Sequence, residues 1–301
     1  MAGAIIVAAS AGCIAPSPST ESPGAITSPV GTSVPPTSVI ASAAAPTPSD
    51  VATGYLALGD SLTAGFQAGR GEDKTGGYVG GVLDAWRHRH PDAQLTNLAC
   101  FGDDTTAMLT GNGSTCSYPQ GSQFAAALAS LRQGVGVGLV TITIGVNDLY
   151  GCTVVGIDGT CVAYVTRTMG AALTSMLAQI RAAAPLALIV ALTYYNPLLA
   201  TSLGTPEAPS AVAPRPADPQ VATDSAQAFT GLNRVITTAV TAVGGRVADI
   251  AGAFAVTDTS GSPLPVNIQR LCDWTSFCTQ GDAHPNDAGY AAMARAVTAV
   301  L

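Results

Sequence analysis

The 301-residue chain has almost no lysine: Lys74 stands alone. Its formal charge is −7 and its pI is near 4.7. That balance argues against nucleic acid as a partner, because phosphate binding needs a basic stripe. It also leaves no polybasic patch to hold an anionic membrane surface. Aromatic residues are sparse, 5% against 48% hydrophobic overall, so alanine and valine carry the apolar count and a core of small side chains is expected. No CxxC pair occurs, and none of the three histidines stands at ligand spacing from a cysteine, so neither a metal nor another cofactor is expected. No segment repeats.

Cysteine, by contrast, is plentiful. Six of the seven fall as near neighbours, Cys100/Cys116, Cys152/Cys161 and Cys272/Cys278, and the expected pairing joins each to its neighbour. Such short loops contribute about 2–3 kcal/mol each, mainly by restricting the unfolded chain. They imply an oxidising compartment. The seventh, Cys13, follows the apolar run "AIIVAASAG", which is too short to span a bilayer, and precedes a Pro/Ser/Thr-rich tract. That context looks like the end of a bacterial lipoprotein signal, so residues 1–13 read as a signal-like segment, Cys13 as a lipidation site and membrane tether, and the protein as secreted or held at a bacterial cell envelope. Residues 14–50 have no periodicity and read as a disordered, partly polyproline linker. The folded domain is expected over 51–301.

Within that domain the texture alternates. Apolar runs suited to buried strands lie at 54–59, 93–99, 137–145, 186–195 and 245–250, and helical patterns lie at 77–90, 121–133, 161–184, 223–243 and from Asn286 to the end. Alternation of this kind predicts an α/β fold with a parallel sheet covered on both faces. Ligand sites in such sheets form beyond the carboxyl ends of the strands. The proline-rich stretch 196–222 is long for a connector and reads as a surface loop or a flap near the site.

The first strand ends on "YLALGDSLTAG", and three further stretches sit at or near strand ends: "NLACFGDDTT", "TIGVND" and, before the last helix, "GDAHPNDAGY". Taken singly, Ser61 reads as a helix cap, Gly102 as a turn and Asn147 as a strand cap. His88 and His90 lie in an arginine-rich helix end that reads as a solvated face. Together, in order, Ser61, Gly102, Asn147 and His284 resemble the GDSL or SGNH hydrolase family of esterases and lipases, over residues 54–301. The resemblance implies a three-layer α/β/α sandwich, flavodoxin-like in layout, with a mostly parallel sheet.

It also implies a serine carboxylester hydrolase that works through an acyl-enzyme on a small-molecule or lipid ester; a monomer is expected. A serine hydroxyl is a poor nucleophile until a base takes its proton, and His284 is the candidate base. The backbone N–H groups of Ser61 and Gly102 and the side-chain amide of Asn147 are implied as the oxyanion hole. Each such donor is worth about 10²–10³ in rate.

One position departs from the family. The usual pattern is DxxHP, yet Gly281 stands three before the histidine and Asp282 only two before. Either the Asp282 carboxylate completes a Ser–His–Asp triad, or the Gly281 carbonyl orients the ring and leaves a dyad. Asp282 is taken as the third member. Among the other acids, Asp60 and Asp148 are expected to hold loops by hydrogen bonds, Asp103 and Asp104 to sit in a solvated turn, and Asn286 or Asp287 to cap the last helix. Two alternatives stay open. One is a carbohydrate deacetylase of acetylxylan type, mildly disfavoured by the few aromatics near the motifs. The other is a non-catalytic binding protein on the same scaffold.

Overall fold

A computed structural model describes residues 52–132, 136–152, 157–203 and 218–301. The signal-like segment with Cys13, the linker 14–50 and residues 204–217 of the proline-rich stretch lie outside the described residues.

Strands β1 (Gly54–Gly59), β2 (Leu95–Asn97), β3 (Val137–Thr143), β4 (Leu188–Leu192) and β5 (Arg246–Ala248) pair in the order β2-β1-β3-β4-β5, every neighbour parallel. Every residue of β1 is buried, as is all of β3 after its first residue, which is why these strands read as mainly apolar runs with no charged residue. The two edge strands, β2 and β5, hold only three residues each, shorter than the runs expected at 93–99 and 245–250.

The helices are α1 (Gly77–Arg87), α2 (Thr105–Thr110), α3 (Gln123–Arg132), α4 (Val146–Tyr150), α5 (Gly159–Ala183), α6 (Pro219–Ala242), α7 (Ile250–Ala253), α8 (Val266–Trp274), α9 (Phe277–Gln280) and α10 (Asp287–Thr298). Residues Pro197–Leu203 wind as a 3₁₀ turn. The chain moves from β1 outward to β2, then returns across β1 to β3 and on to β5. Right-handed crossovers place the helices of these opposite moves on opposite faces. Accordingly α1 packs on α10, while α5 packs on α3 and α6. No described helix is long and apolar enough to cross a membrane.

Caps explain several boundaries. Asp218 accepts from the N–H groups of Gln220 and Val221 with Pro219 opening α6, Asp158 does the same for α5, and Asn286 does it for α10. Asp287, the other candidate cap, instead accepts from Arg70 and Gln67.

The core departs from the small-residue expectation. Tyr55, Tyr78, Tyr290 and Phe254 are among its largest fully buried side chains. Buried tyrosine needs hydrogen-bond partners. Here Tyr55 Oη lies 2.8 Å from Thr141 Oγ1 and Tyr78 Oη 2.7 Å from Thr63 Oγ1, so threonines in and beside the strands make the aromatic core possible.

The consequence for a site is topological. The chain reverses its direction of progress at β1, so a crevice opens between the carboxyl ends of β1 and β3. Gly59 pairs with Thr143 at that level. Ser61 follows one strand and Asn147 the other.

Candidate active site

Gly59 lets the chain leave β1 sharply. Its φ is +144°, and a Cβ there would run into the Thr143 carbonyl and the hydroxyls of Thr143 and Thr63. Gln123 of α3 holds this residue from the other side, accepting from the Gly59 N–H at 2.7 Å and donating to its carbonyl at 3.0 Å. The turn that follows carries Ser61, 7% exposed.

The residues singled out in the sequence meet across long chain distances. His284 Nε2 lies 2.9 Å from Ser61 Oγ. On the far side of the ring, Nδ1 lies 2.7 Å from Asp282 Oδ1. Asp282 Oδ1 also accepts the His284 backbone N–H at 2.8 Å. That local turn explains how a spacing of two suffices: the carboxylate folds back over its own backbone and meets the ring it precedes. With Nδ1–H directed at the carboxylate, Nε2 is left to accept from the serine hydroxyl. Burial alone would raise the Asp282 carboxyl, but the hydrogen bond and charge of the His284 ring, with its backbone N–H, outweigh that and hold it below the ordinary carboxylate range. Gly281 has a left-handed φ of +67° and caps α9, its N–H donating to Phe277.

Asn147 opens from α4 and donates through Nδ2 to the Asp103 carbonyl at 2.8 Å. Its neighbour Asp148 accepts from both the backbone and the hydroxyl of Thr105, tying α4 to α2 as a loop brace. Gly102 has φ +80°, and nothing lies within 4 Å of where its Cβ would be. Left-handed backbone, not crowding by the protein, is what asks for glycine there.

Ser61, Gly102, Asn147 and His284 all border one cavity of about 240 Å³. Its remaining walls include Phe101, Val146, Tyr150, Tyr194 and Tyr195, and among the described residues none bearing a permanent charge lines it. The sparse-aromatic reading therefore fails locally. Phe66 packs edge-on to the His284 ring with centroids 4.5 Å apart, and Phe101 lies 4.6 Å from Phe66. These rings come from different strand ends and gather only in space. The legible signal was "TYYN" at a strand's carboxyl end, beside the phenylalanine preceding Gly102. A second correction concerns Asp103, which is buried and accepts from Gln123 at 2.9 Å instead of facing solvent. Asp104 caps α2.

The expected disulfides Cys100–Cys116, Cys152–Cys161 and Cys272–Cys278 are all present. Each sits beside a site segment: Cys100 two residues before Gly102, Cys152 two after α4, and Cys272–Cys278 closing the α8–α9 turn ahead of His284. That turn receives the histidine loop directly, since the Ser276 N–H donates to the His284 carbonyl at 3.0 Å and the Asn286 N–H to the Trp274 carbonyl at 3.0 Å. Tyr195 adds a bond to the Ala283 carbonyl at 2.6 Å. A Cys272→Ser/Cys278→Ser variant should lose about tenfold or more in turnover while keeping its circular dichroism, since small misplacements of a base are costly. Unchanged turnover would show that this disulfide does not stiffen the histidine loop.

A family model described as GDSL-like Lipase/Acylhydrolase matches residues 57–292. No curated protein matches the chain. Among solved structures, an extracellular lipase of Streptomyces rimosus superposes with a TM-score of 0.53 at 20% identity, covering 83% of this chain and 100% of that one. The lipase Lip_vut3 from a goat rumen metagenome gives 0.52 at 22%, over 82% and 96%. A phospholipase A1 of Streptomyces albidoflavus gives 0.50 at 23%, over 83% and 99%. These likenesses speak for the fold.

Proposed function

Because the chain belongs to the GDSL-like lipase/acylhydrolase family and is a carboxylic ester hydrolase, we propose that Ser61 attacks the ester carbonyl, with His284 as base and Asp282 as the group that orients it. The observation that carries this reading is the relay Asp282 Oδ1 to His284 Nδ1 at 2.7 Å and His284 Nε2 to Ser61 Oγ at 2.9 Å. Both contacts lie within hydrogen-bond reach.

In this reading Ser61 Oγ bonds to the carbonyl carbon as its proton passes to Nε2. The carbonyl oxygen becomes an oxyanion between the N–H groups of Ser61 and Gly102 and the Asn147 amide. One Asn147 amide hydrogen is committed to the Asp103 carbonyl, so the second remains for the oxyanion. The intermediate collapses, the ester bond breaks, and the imidazolium returns the proton to the leaving alcohol. Water, deprotonated by His284, then attacks the acyl carbonyl, and the acyl–Oγ bond breaks as the imidazolium returns that proton to Ser61, releasing the acid. Fixed donors aimed at the developing charge supply most of the acceleration.

The walls favour an uncharged acyl part. A cavity rimmed by Phe101, Val146, Tyr150 and Tyr195 gains free energy by covering methylenes, about 0.8 kcal/mol for each one buried. The test is hydrolysis of nitrophenyl esters of rising acyl length set against acetylated xylan, with Ser61→Ala as control. Rates should rise from acetyl to longer chains and exceed deacetylation of the polysaccharide. Faster release of acetate from xylan would overturn the acyl-ester reading in favour of a carbohydrate deacetylase. The same reading includes export, attachment to the envelope through Cys13 and the 14–50 linker, and action as a monomer.

A further inference from the structure

Asp60 stands immediately before Ser61 and is completely buried, yet the relay above does not use it. A carboxylate out of water is costly unless donors surround it. Three do, each from a different element. The Leu62 N–H of the nucleophile turn donates to Oδ1 at 3.0 Å, the Thr143 hydroxyl at the end of β3 donates to Oδ1 at 2.9 Å, and the Tyr194 hydroxyl beyond β4 donates to Oδ2 at 2.5 Å. Tyr194 is itself clamped by Asn233 of α6, whose Oδ1 accepts the Tyr194 N–H while its amide donates to the Tyr194 carbonyl, both at 2.8 Å. So the anion joins the ends of β1, β3 and β4 directly beneath the serine.

Resting on the Ser61–His284 reading, we propose that Asp60 is a positioning residue for the hydrolysis: its buried negative charge fixes the nucleophile turn and favours the imidazolium that His284 becomes during turnover. The other ionisable groups acting on Asp60 or sensing it are Tyr194, Tyr78, Tyr150, Tyr195 and Tyr290, all neutral at ordinary pH, and His284. Among the described residues no lysine or arginine answers its charge, so the transient imidazolium is the cation it stabilises. The environment also sets a working range. Burial pushes the Asp60 carboxyl up to about 6, against the hydrogen bonds from Tyr194, Leu62 and Thr143 and the charge of His284, which hold it down. The anion is therefore present at neutral pH and is lost in mild acid.

Two variants move the acid limb of kcat/KM in opposite directions, because that limb reports the free enzyme's essential groups. Asp60→Asn removes the charge that favours the imidazolium, so the limb shifts to lower pH, with kcat down about tenfold or more and KM little changed. Tyr194→Phe keeps the carboxyl but removes a donor, so Asp60 protonates more readily and the limb shifts to higher pH. Both are measured on nitrophenyl butyrate from acid to alkaline pH, beside wild type and Ser61→Ala, with circular dichroism verifying the fold. If Asp60→Asn does not fold, the upward shift in Tyr194→Phe still tests the proposal. A limb that stays in place in folded variants, or full kcat in Asp60→Asn, overturns it. An active Ser61→Ala would instead overturn the underlying reading.

Discussion

Ser61→Ala should leave a folded protein whose ester turnover falls by a factor on the order of 10⁶. The substitution removes one oxygen from a side chain that is 7% exposed and makes no packing change larger than that atom, so stability is expected to hold. His284→Ala should cost a similar factor, because each residue is useless without the other. The Ser61→Ala/His284→Ala pair should therefore be no slower than either single change. Initial rates on a soluble nitrophenyl ester check both statements. Additive losses would mean that the two residues act separately, which the 2.9 Å contact between them argues against.

Asp282→Asn should lower kcat on the order of 10⁴ while leaving the loop in place. Asparagine retains an oxygen that can accept the His284 backbone N–H, now at 2.8 Å from the carboxylate, so the turn should survive. The charge does not survive. An amide stabilises neither the Nδ1–H tautomer nor the imidazolium as a carboxylate does, and with the other tautomer Nε2 carries a proton and cannot accept from Ser61. The measurement is kcat with its pH profile, and near-wild-type activity would return the orienting role to the Gly281 carbonyl.

Much of this molecule was legible before its structure. The central strands were plain because burial on both faces makes them mainly apolar runs, and the long helices α5 and α6 showed as periodic patterns, though their Asp caps stand a few residues ahead of those patterns and were not read. The short helices α2, α4, α8 and α9 were not visible, since pieces of four to nine residues have no room for a periodic stripe and exist through caps and tertiary contacts. Site legibility divides in the same way. Ser61, Gly102, Asn147 and His284 sit in compact local patterns. The aromatic wall of Phe101, Tyr150 and Tyr195, with Phe66 against the His284 ring, does not, because no spacing rule relates residues delivered by separate strand ends. Asp103 misled for a physical reason: a Gly-Asp-Asp stretch reads as a turn in water, and the buried Gln123, twenty positions away, gives it a partner inside. Asp60 misled less. Its loop-holding bonds were anticipated, but Tyr194, 134 residues distant, reaches it only once β4 lies beside β3.

The measurement that tests the central claim most directly is covalent trapping. Treated with an alkyl phosphonate ester and analysed by peptide mass spectrometry, the folded protein should carry one phosphonyl group, on Ser61, with activity lost in proportion. Label on another residue, or full activity in protein that takes none up, would contradict the account.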